Sequence, residues 1–497
     1  MTDSTASMND ADSIDAPTRA EAFGIWSRHL ASLVIPSITL VFLWTGPHPW
    51  YVAPVFMLPL GIVLFIDQRG KVERGQPMTA LPARPFDLLV YLLAGLQFLI
   101  VFELARMFST QDIFSIDMAL VIGVVGGNSG FSIITAHELI HRKNRWEQNL
   151  GRLLLCTVLY EHFFTEHLRG HHRRVATEED PATARFGETF PDFWRRTVPA
   201  QFRSAWTLEA RRLGDANMSL FDPRMLKNNI LHGIVVGWAL AFAILYGFGL
   251  AAFVAFLLQA FLAVRLLEVV NYFEHWGLQR KSQRIRPQDS WDTHSRFTYY
   301  GLTGLSRHAD HHAYPARPYQ QLRVWDEAPI LPTGYVGLVD MVMINNDAFI
   351  ESAVKELRRC RLGPFAVDAT PRELVRLEQF EQAEAAAETA AGGPQSGAGP
   401  QWLRNLLRPL PVKLRPYVFW GLVVVALTLG AQFEAGGAAS FSFWSTLARN
   451  YAILAVFAGT VFTQQFIAKQ TERDGLAWFV AFAALLVVGS LTNGILS

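Results

Sequence analysis

The stretch Glu166-His167-Leu168-Arg169-Gly170-His171-His172 holds three imidazoles within six residues, just after an apolar run. Histidine is the commonest protein metal ligand, and packing gives no reason for such density. Three further clusters repeat the theme: His137-Glu138-Leu139-Ile140-His141 before it, then Glu274-His275 and His308-Ala309-Asp310-His311-His312 after it. Nine of the fourteen histidines fall in these four places. His137 and His141 are spaced i, i+4, as are His167 and His171, and His308 and His312, while His308 and His311 are i, i+3. Each such pair is expected to share one helical face. The first cluster also fits the zinc-protease signature His-Glu-x-x-His. A catalytic zinc, however, takes about three protein ligands, so nine candidates suit two metal ions better than one. An all-nitrogen set accepts iron, copper, zinc or nickel, and the residues alone do not choose. Glu138, Glu166, Glu274 and Asp310 stand beside the clusters, where a carboxylate can orient a ligating imidazole by accepting its other ring N–H. The bland reading of each is a solvated acid at a helix end. His162 falls off the face of His167 and reads as supporting or structural. His29, His48, His232 and His294 stand alone and read as surface or packing residues.

The rest of the chain must bring these groups together. Apolar runs Leu30–Thr45 and Tyr51–Ile66, Phe86–Phe108 and Ile113–Ala136, and Ile230–Leu250 and Ala251–Val270 pair as three helical hairpins. The first two are short for a span of roughly 20 residues. Gly123, Gly126, Gly127 and Gly130 would let one helix approach another closely. The turns at 46–50, 108–112 and 247–251 carry no Lys or Arg, whereas Lys71–Arg84, 142–227 and 275–415 are basic, with fifteen Lys and Arg between Arg142 and Lys227. Six spans put every basic loop, and all four histidine clusters, on one side. The positive-inside rule makes that side cytoplasmic. The expected fold is an all-α integral membrane protein with a six-helix core. Residues 1–20 are polar and expected to be disordered, with no signal-peptide pattern. The core is expected at 21–365, a Gly/Pro/Ala-rich linker at 366–415, and an extension with three more apolar runs at 416–497, namely Val418–Phe433, Phe443–Phe466 and Leu476–Leu496.

Composition excludes several classes. The chain has 497 residues, 51% of them hydrophobic, and a mean hydropathy of +0.19, too apolar for an ordinary soluble protein. A net charge of +1 points away from nucleic acid. Two cysteines cannot build a disulfide framework or a thiolate iron site, so an iron–sulfur electron donor must be another protein.

The segments around His137–Arg142, Glu166–His172, Asn271-Tyr-Phe-Glu-His275-Trp-Gly-Leu278 and Leu305–Pro315, with Arg317–Leu322 and Leu331–Tyr335 downstream, resemble the boxes of membrane-bound alkane 1-monooxygenases. These belong to the integral-membrane, di-iron, fatty-acid-desaturase-like group. The resemblance covers about residues 20–350. It implies two iron ions held by His137, His141, His167, His171, His172, His275, His308, His311 and His312. It further implies hydroxylation of a terminal methyl group of an alkyl substrate with molecular oxygen, in a bacterial inner membrane. Electrons would come from rubredoxin or a ferredoxin and an NAD(P)H-dependent reductase. Trp276 stands where the family pattern has tyrosine, Leu168-Arg169 where Asn-Arg is usual, and Ser306 where glutamine is common. A methyl hydroxylase of alkylaromatics, as in xylene monooxygenases, and a fatty acyl desaturase share the scaffold. A histidine-rich metal transporter is the rival of a different class. It would need ionisable residues along several spans, and Glu103 and the Arg265–Glu268 pair are the main ones present.

Overall fold

A computed structural model describes residues 17–49, 53–78 and 81–391. The expected C-terminal apolar runs and most of the N-terminal tail lie outside the described residues. The described chain is helical, with only two isolated bridges, Val72 to Ser295 and Asp292 to Ile330.

Among the described residues five helices are long and apolar enough to cross a membrane: α1, Arg19–Thr45; then Ala83–Phe108, Ile116–Ile140, Asn229–Phe248 and Leu250–His275. Between the first two lies α2, Leu58–Arg69, preceded by a tight helical turn, Ala53–Met57. The expected span Tyr51–Ile66 is therefore not a full-length helix. Pro54 and Pro59 withhold two backbone N–H groups at its start, which shortens the regular part. Its end is pinned instead by Asp67, a buried acid that accepts from the hydroxyls of Ser295 at 2.5 Å and Thr298 at 2.7 Å.

Helix α3 is Ala83–Phe108 and α4 is Ile116–Ile140. After α5, Arg145–Cys156, and the amphipathic α6, Phe190–Arg212, the chain enters the hairpin of α7, Asn229–Phe248, and α8, Leu250–His275. Gly249 alone turns that hairpin at φ +92°, which a side chain would strain. The pairing of α4 with α8 positions the site, because each carries histidines at its C-terminal end. A Cβ at Gly126 would lie 2.7 Å from Leu262 Cβ, and one at Gly130 would lie 2.8 Å from Leu266 Cδ1. Two glycines four residues apart thus seat two leucines of α8 against the backbone of α4. Of the other expected glycines, Gly123 faces Met57 and Gly127 faces open space. Gly130→Val is expected to cost about 1–3 kcal/mol through overpacking and to lower metal retention by separating His137 from His275. A thermal melt in detergent, read with metal content, checks this; an unchanged melt would show that the contact is slack.

Past the bundle come α9, His308–Ala313; α10, Tyr335–Ile344; α11, Asn346–Cys360; and α12, Pro371–Ala391. The stretch expected to be a linker therefore begins as a helix. Its Ala, Glu and Leu residues are strong helix formers. It is also packed on the core: Phe380 meets Phe186 with ring centroids 5.4 Å apart, Arg376 pairs with Glu178 at 2.7 Å, and Lys281 pairs with Glu373. The packed unit thus continues beyond residue 365.

Candidate metal centre

All nine clustered histidines come together at one end of the bundle, in two groups. His137, His141, His167, His172 and His311 form one group, and His171, His275, His308 and His312 the other. Within each group one ring nitrogen per residue lies within 4.8 Å of the others. The Nε2 atoms of the first group run His141 to His167 at 3.0 Å, His167 to His172 at 3.0 Å and His172 to His311 at 3.2 Å. In the second they run His275 to His308 at 3.2 Å, His308 to His312 at 2.9 Å and His312 to His171 at 3.2 Å.

Hydrogen bonding alone does not account for this convergence. A neutral imidazole nitrogen has one in-plane direction, for a proton or for a lone pair, and cannot serve two facing nitrogens at once. A metal–imidazole bond is about 2.0–2.1 Å, so two nitrogens at right angles around one ion stand about 3 Å apart. The donor sets fit two cations, with five and four nitrogens. Iron suits such imidazole ligands and takes more than four of them.

Local structure explains how close neighbours in sequence reach different groups. Residues Glu166–His171 form a π-helical turn, in which bonds run i to i+5. The expected i, i+4 pair His167 and His171 is therefore split between the groups. His167 pairs instead with His172, five residues on. In α9 the i, i+4 pair His308 and His312 stays together, whereas His311 turns to the other group. His275 is the last residue of α8, and His141 follows the last residue of α4. Burial holds His141, His167, His172, His308, His311 and His312 well below the ordinary histidine range, so they are neutral and free to bind metal.

The four carboxylates named from the sequence separate into different roles. Glu274 accepts from the Tyr335 hydroxyl at 2.6 Å, and its Oε1 lies 3.3 Å from His308 Nδ1. Glu138 pairs with Arg142 at 3.2 Å and Glu166 with Arg174 at 2.6 Å. Burial pushes the Glu166 carboxyl up to about 7 against the pull of Arg174. Asp310 accepts from Arg317 at 2.5 Å and from Trp325 Nε1 at 2.7 Å. These last three face arginines rather than imidazoles, so they fasten the helices that carry the histidines. Glu274 thus faces an imidazole as the sequence reading has it, and a second carboxylate that does so is one the sequence did not single out. Asp180 Oδ2 lies 2.9 Å from His171 Nδ1, and Thr183 Oγ1 donates to the same oxygen at 2.6 Å. Burial alone would raise Asp180, but the facing His171 and these hydrogen bonds hold it below the ordinary carboxylate range. In sequence it ends the run Glu178-Glu179-Asp180, which reads as a solvated acidic loop.

The isolated histidines are packing residues in most cases. His29 is fully buried among the rings of Phe86, Tyr299, Tyr300 and Tyr319, and His48 Nδ1 meets Asp117 at 2.7 Å. His162 packs edge-on against Tyr160. His232 Nε2 faces the Leu226 carbonyl, and His294 is half-buried. Trp276, the departure from the family pattern, is buried and donates its indole N–H to the Glu188 carbonyl at 3.0 Å. A polar group inside the bundle, Gln97, Asn128, Ser129 and Thr157, is bonded largely to itself and contains no ionisable side chain. It offers no ion path of the kind a transporter needs. A small pocket of about 30 Å³ lies between α1, α3, α4 and the turn at 301–303, lined by Ile35, Leu93, Phe131 and Ile134 among others.

A helical membrane bundle capped by histidine clusters defines a class. Residues 116–338 match the family model described as fatty acid desaturase. Alkane 1-monooxygenase 1 of Pseudomonas aeruginosa is 40% identical over 235 residues, 46% of this chain and 59% of that protein. Alkane 1-monooxygenase of Acinetobacter baylyi is 39% identical over 232 residues, 45% of this chain and 56% of that protein. Alkane 1-monooxygenase 1 of Alcanivorax borkumensis is 34% identical over 331 residues, 63% of this chain and 80% of that protein. The match thus spans less than three fifths of the first two relatives and four fifths of the third. The chain belongs to the alkane 1-monooxygenase family.

Proposed function

We propose that the chain is an oxygen-dependent hydroxylase of a terminal methyl group on an alkyl substrate, with two iron ions held by the nine histidines. The observation that carries this reading is the convergence of two all-imidazole donor sets at the end of an apolar bundle. Two irons would supply the activation of molecular oxygen. The balance is R–CH3 + O2 + 2 e⁻ + 2 H⁺ → R–CH2OH + H2O, with both electrons from an external carrier, rubredoxin or a ferredoxin served by a reductase. The chain's own part is to hold the donors, exclude water and orient the substrate. Apolar helix faces stabilise an alkyl chain by roughly 0.8 kcal/mol per buried methylene, whereas a polar substrate would find few partners there. The basic loops favour a cytoplasmic position for the histidine end, with the bundle in a bacterial inner membrane.

Two measurements test the reading. Elemental analysis of the purified protein is expected to give about two irons per chain, since imidazole donors and no thiolates suit iron. One zinc and no iron would favour a protease instead. Gas chromatography of products from cells supplied with octane, hexadecane and p-xylene is expected to give primary alcohols. Turnover of p-xylene alone would favour a methyl hydroxylase of alkylaromatics, and an alkene product the desaturase reading.

A further inference from the structure

We propose that Glu268 is a counter-charge of the metal centre that tunes its reduction potential; this rests on the reading of the histidine groups as a di-iron site. Glu268 is fully buried on α8. It lies seven residues, two helical turns, before His275 and on the same face, with Asn271 midway. Its oxygens accept from the Tyr160 hydroxyl at 3.0 Å, from Gln201 Nε2 at 2.8 and 2.9 Å, and from Asn271 Nδ2 at 3.2 Å. All three donors are neutral. The expected pairing with Arg265 does not form: that guanidinium lies over the rings of Phe190 and Trp194, 5.1 and 5.3 Å from their centroids.

The other acids around the histidines are matched. Glu138, Glu166 and Asp310 have arginines, Asp180 and Glu274 face imidazoles, and Asp292 accepts from the Ala309 amide within the field of Arg307. Glu268 has only donors around it, which suits a carboxylate, and no side-chain cation bonded to it among the described residues. A buried charge without a partner is strongly disfavoured. The cation it lacks is the one the neighbouring imidazoles would bind. Those ligands are neutral, so they leave the positive charge of two iron ions uncompensated in a medium of low dielectric. A fixed negative charge two turns away stabilises the more positive, oxidised centre over the reduced one and so lowers its potential.

The test is a dye-mediated redox titration of iron-loaded full-length protein, with iron content measured in parallel. Glu268→Gln is expected to keep its iron and to shift the midpoint to a more positive value. Glu268→Asp is expected to bring it back toward wild type. Tyr160→Phe removes one donor and concentrates the negative charge, so it is expected to shift the midpoint the opposite way. A structural disturbance has no reason to reverse sign between these variants. Midpoints that all move together, or do not move, would overturn the proposal. Absence of iron in the wild type would defeat the proposed function instead. The counter-charge is then read with cobalt(II) alone, by chelator competition, where weaker binding to Glu268→Gln supports it and equal binding overturns it.

Discussion

His312→Ala is expected to abolish alcohol formation and to leave about one iron per chain where the intact site holds about two. The reason is position. His312 Nε2 lies 2.9 Å from that of His308 and 3.2 Å from that of His171, within the group of four. Removing one of four donors leaves three, whereas the neighbouring group keeps all five. On the proposed di-iron reading, oxygen activation would draw on both ions, so loss of one is expected to end the reaction rather than halve it. The measurements are metal analysis and product chromatography on wild type and variant from the same preparation. Equal alcohol yield from the variant would remove His312 from the site. The corresponding change at His162, which packs against Tyr160, is expected to leave the iron count intact.

The second large effect concerns Asp180. Asp180→Asn is expected to lower activity or iron affinity by about 10–100-fold, the usual cost of losing a carboxylate behind a ligating imidazole. Asp180 faces His171 Nδ1, which fixes the tautomer that presents Nε2 to the other three rings. Asparagine keeps the shape and one acceptor oxygen, which can serve the Ala182 amide, while its NH2 takes the place of the oxygen that faces Thr183 and His171; the Thr183 hydroxyl can turn to accept from it, so the loop should stay folded. The charge and the acceptor that faces His171 Nδ1 are what change. Circular dichroism should therefore match the wild type while chelator resistance of the iron falls. Unchanged chelator resistance would show that the Asp180 contact serves the loop alone.

Sequence by itself determined a good deal here. Four histidine clusters, the apolar runs and the basic stretches between them follow from residue types and spacing, and they point to an all-helical membrane protein with clustered nitrogen donors. Local pattern decides these because hydropathy governs spans and because ligands cluster where the chain turns back from the membrane. Tertiary structure decided the rest. The assignment of His167 and His171 to different groups depends on a π-helical turn, which no i, i+4 count anticipates. The short α2 reflects prolines acting against an otherwise apolar run, and the helix Pro371–Ala391 reflects Ala and Glu ordered by contact with Phe186 and Lys281. Asp180 carries no mark in sequence that separates it from Glu179, and Glu268 is marked only as an acid inside an apolar run, close to Arg265. Only the fold brings one against an imidazole and deprives the other of any bonded cationic side chain among the described residues. An acid's role is set by what faces it in space, and facing partners nine to over a hundred residues apart are not written in local spacing.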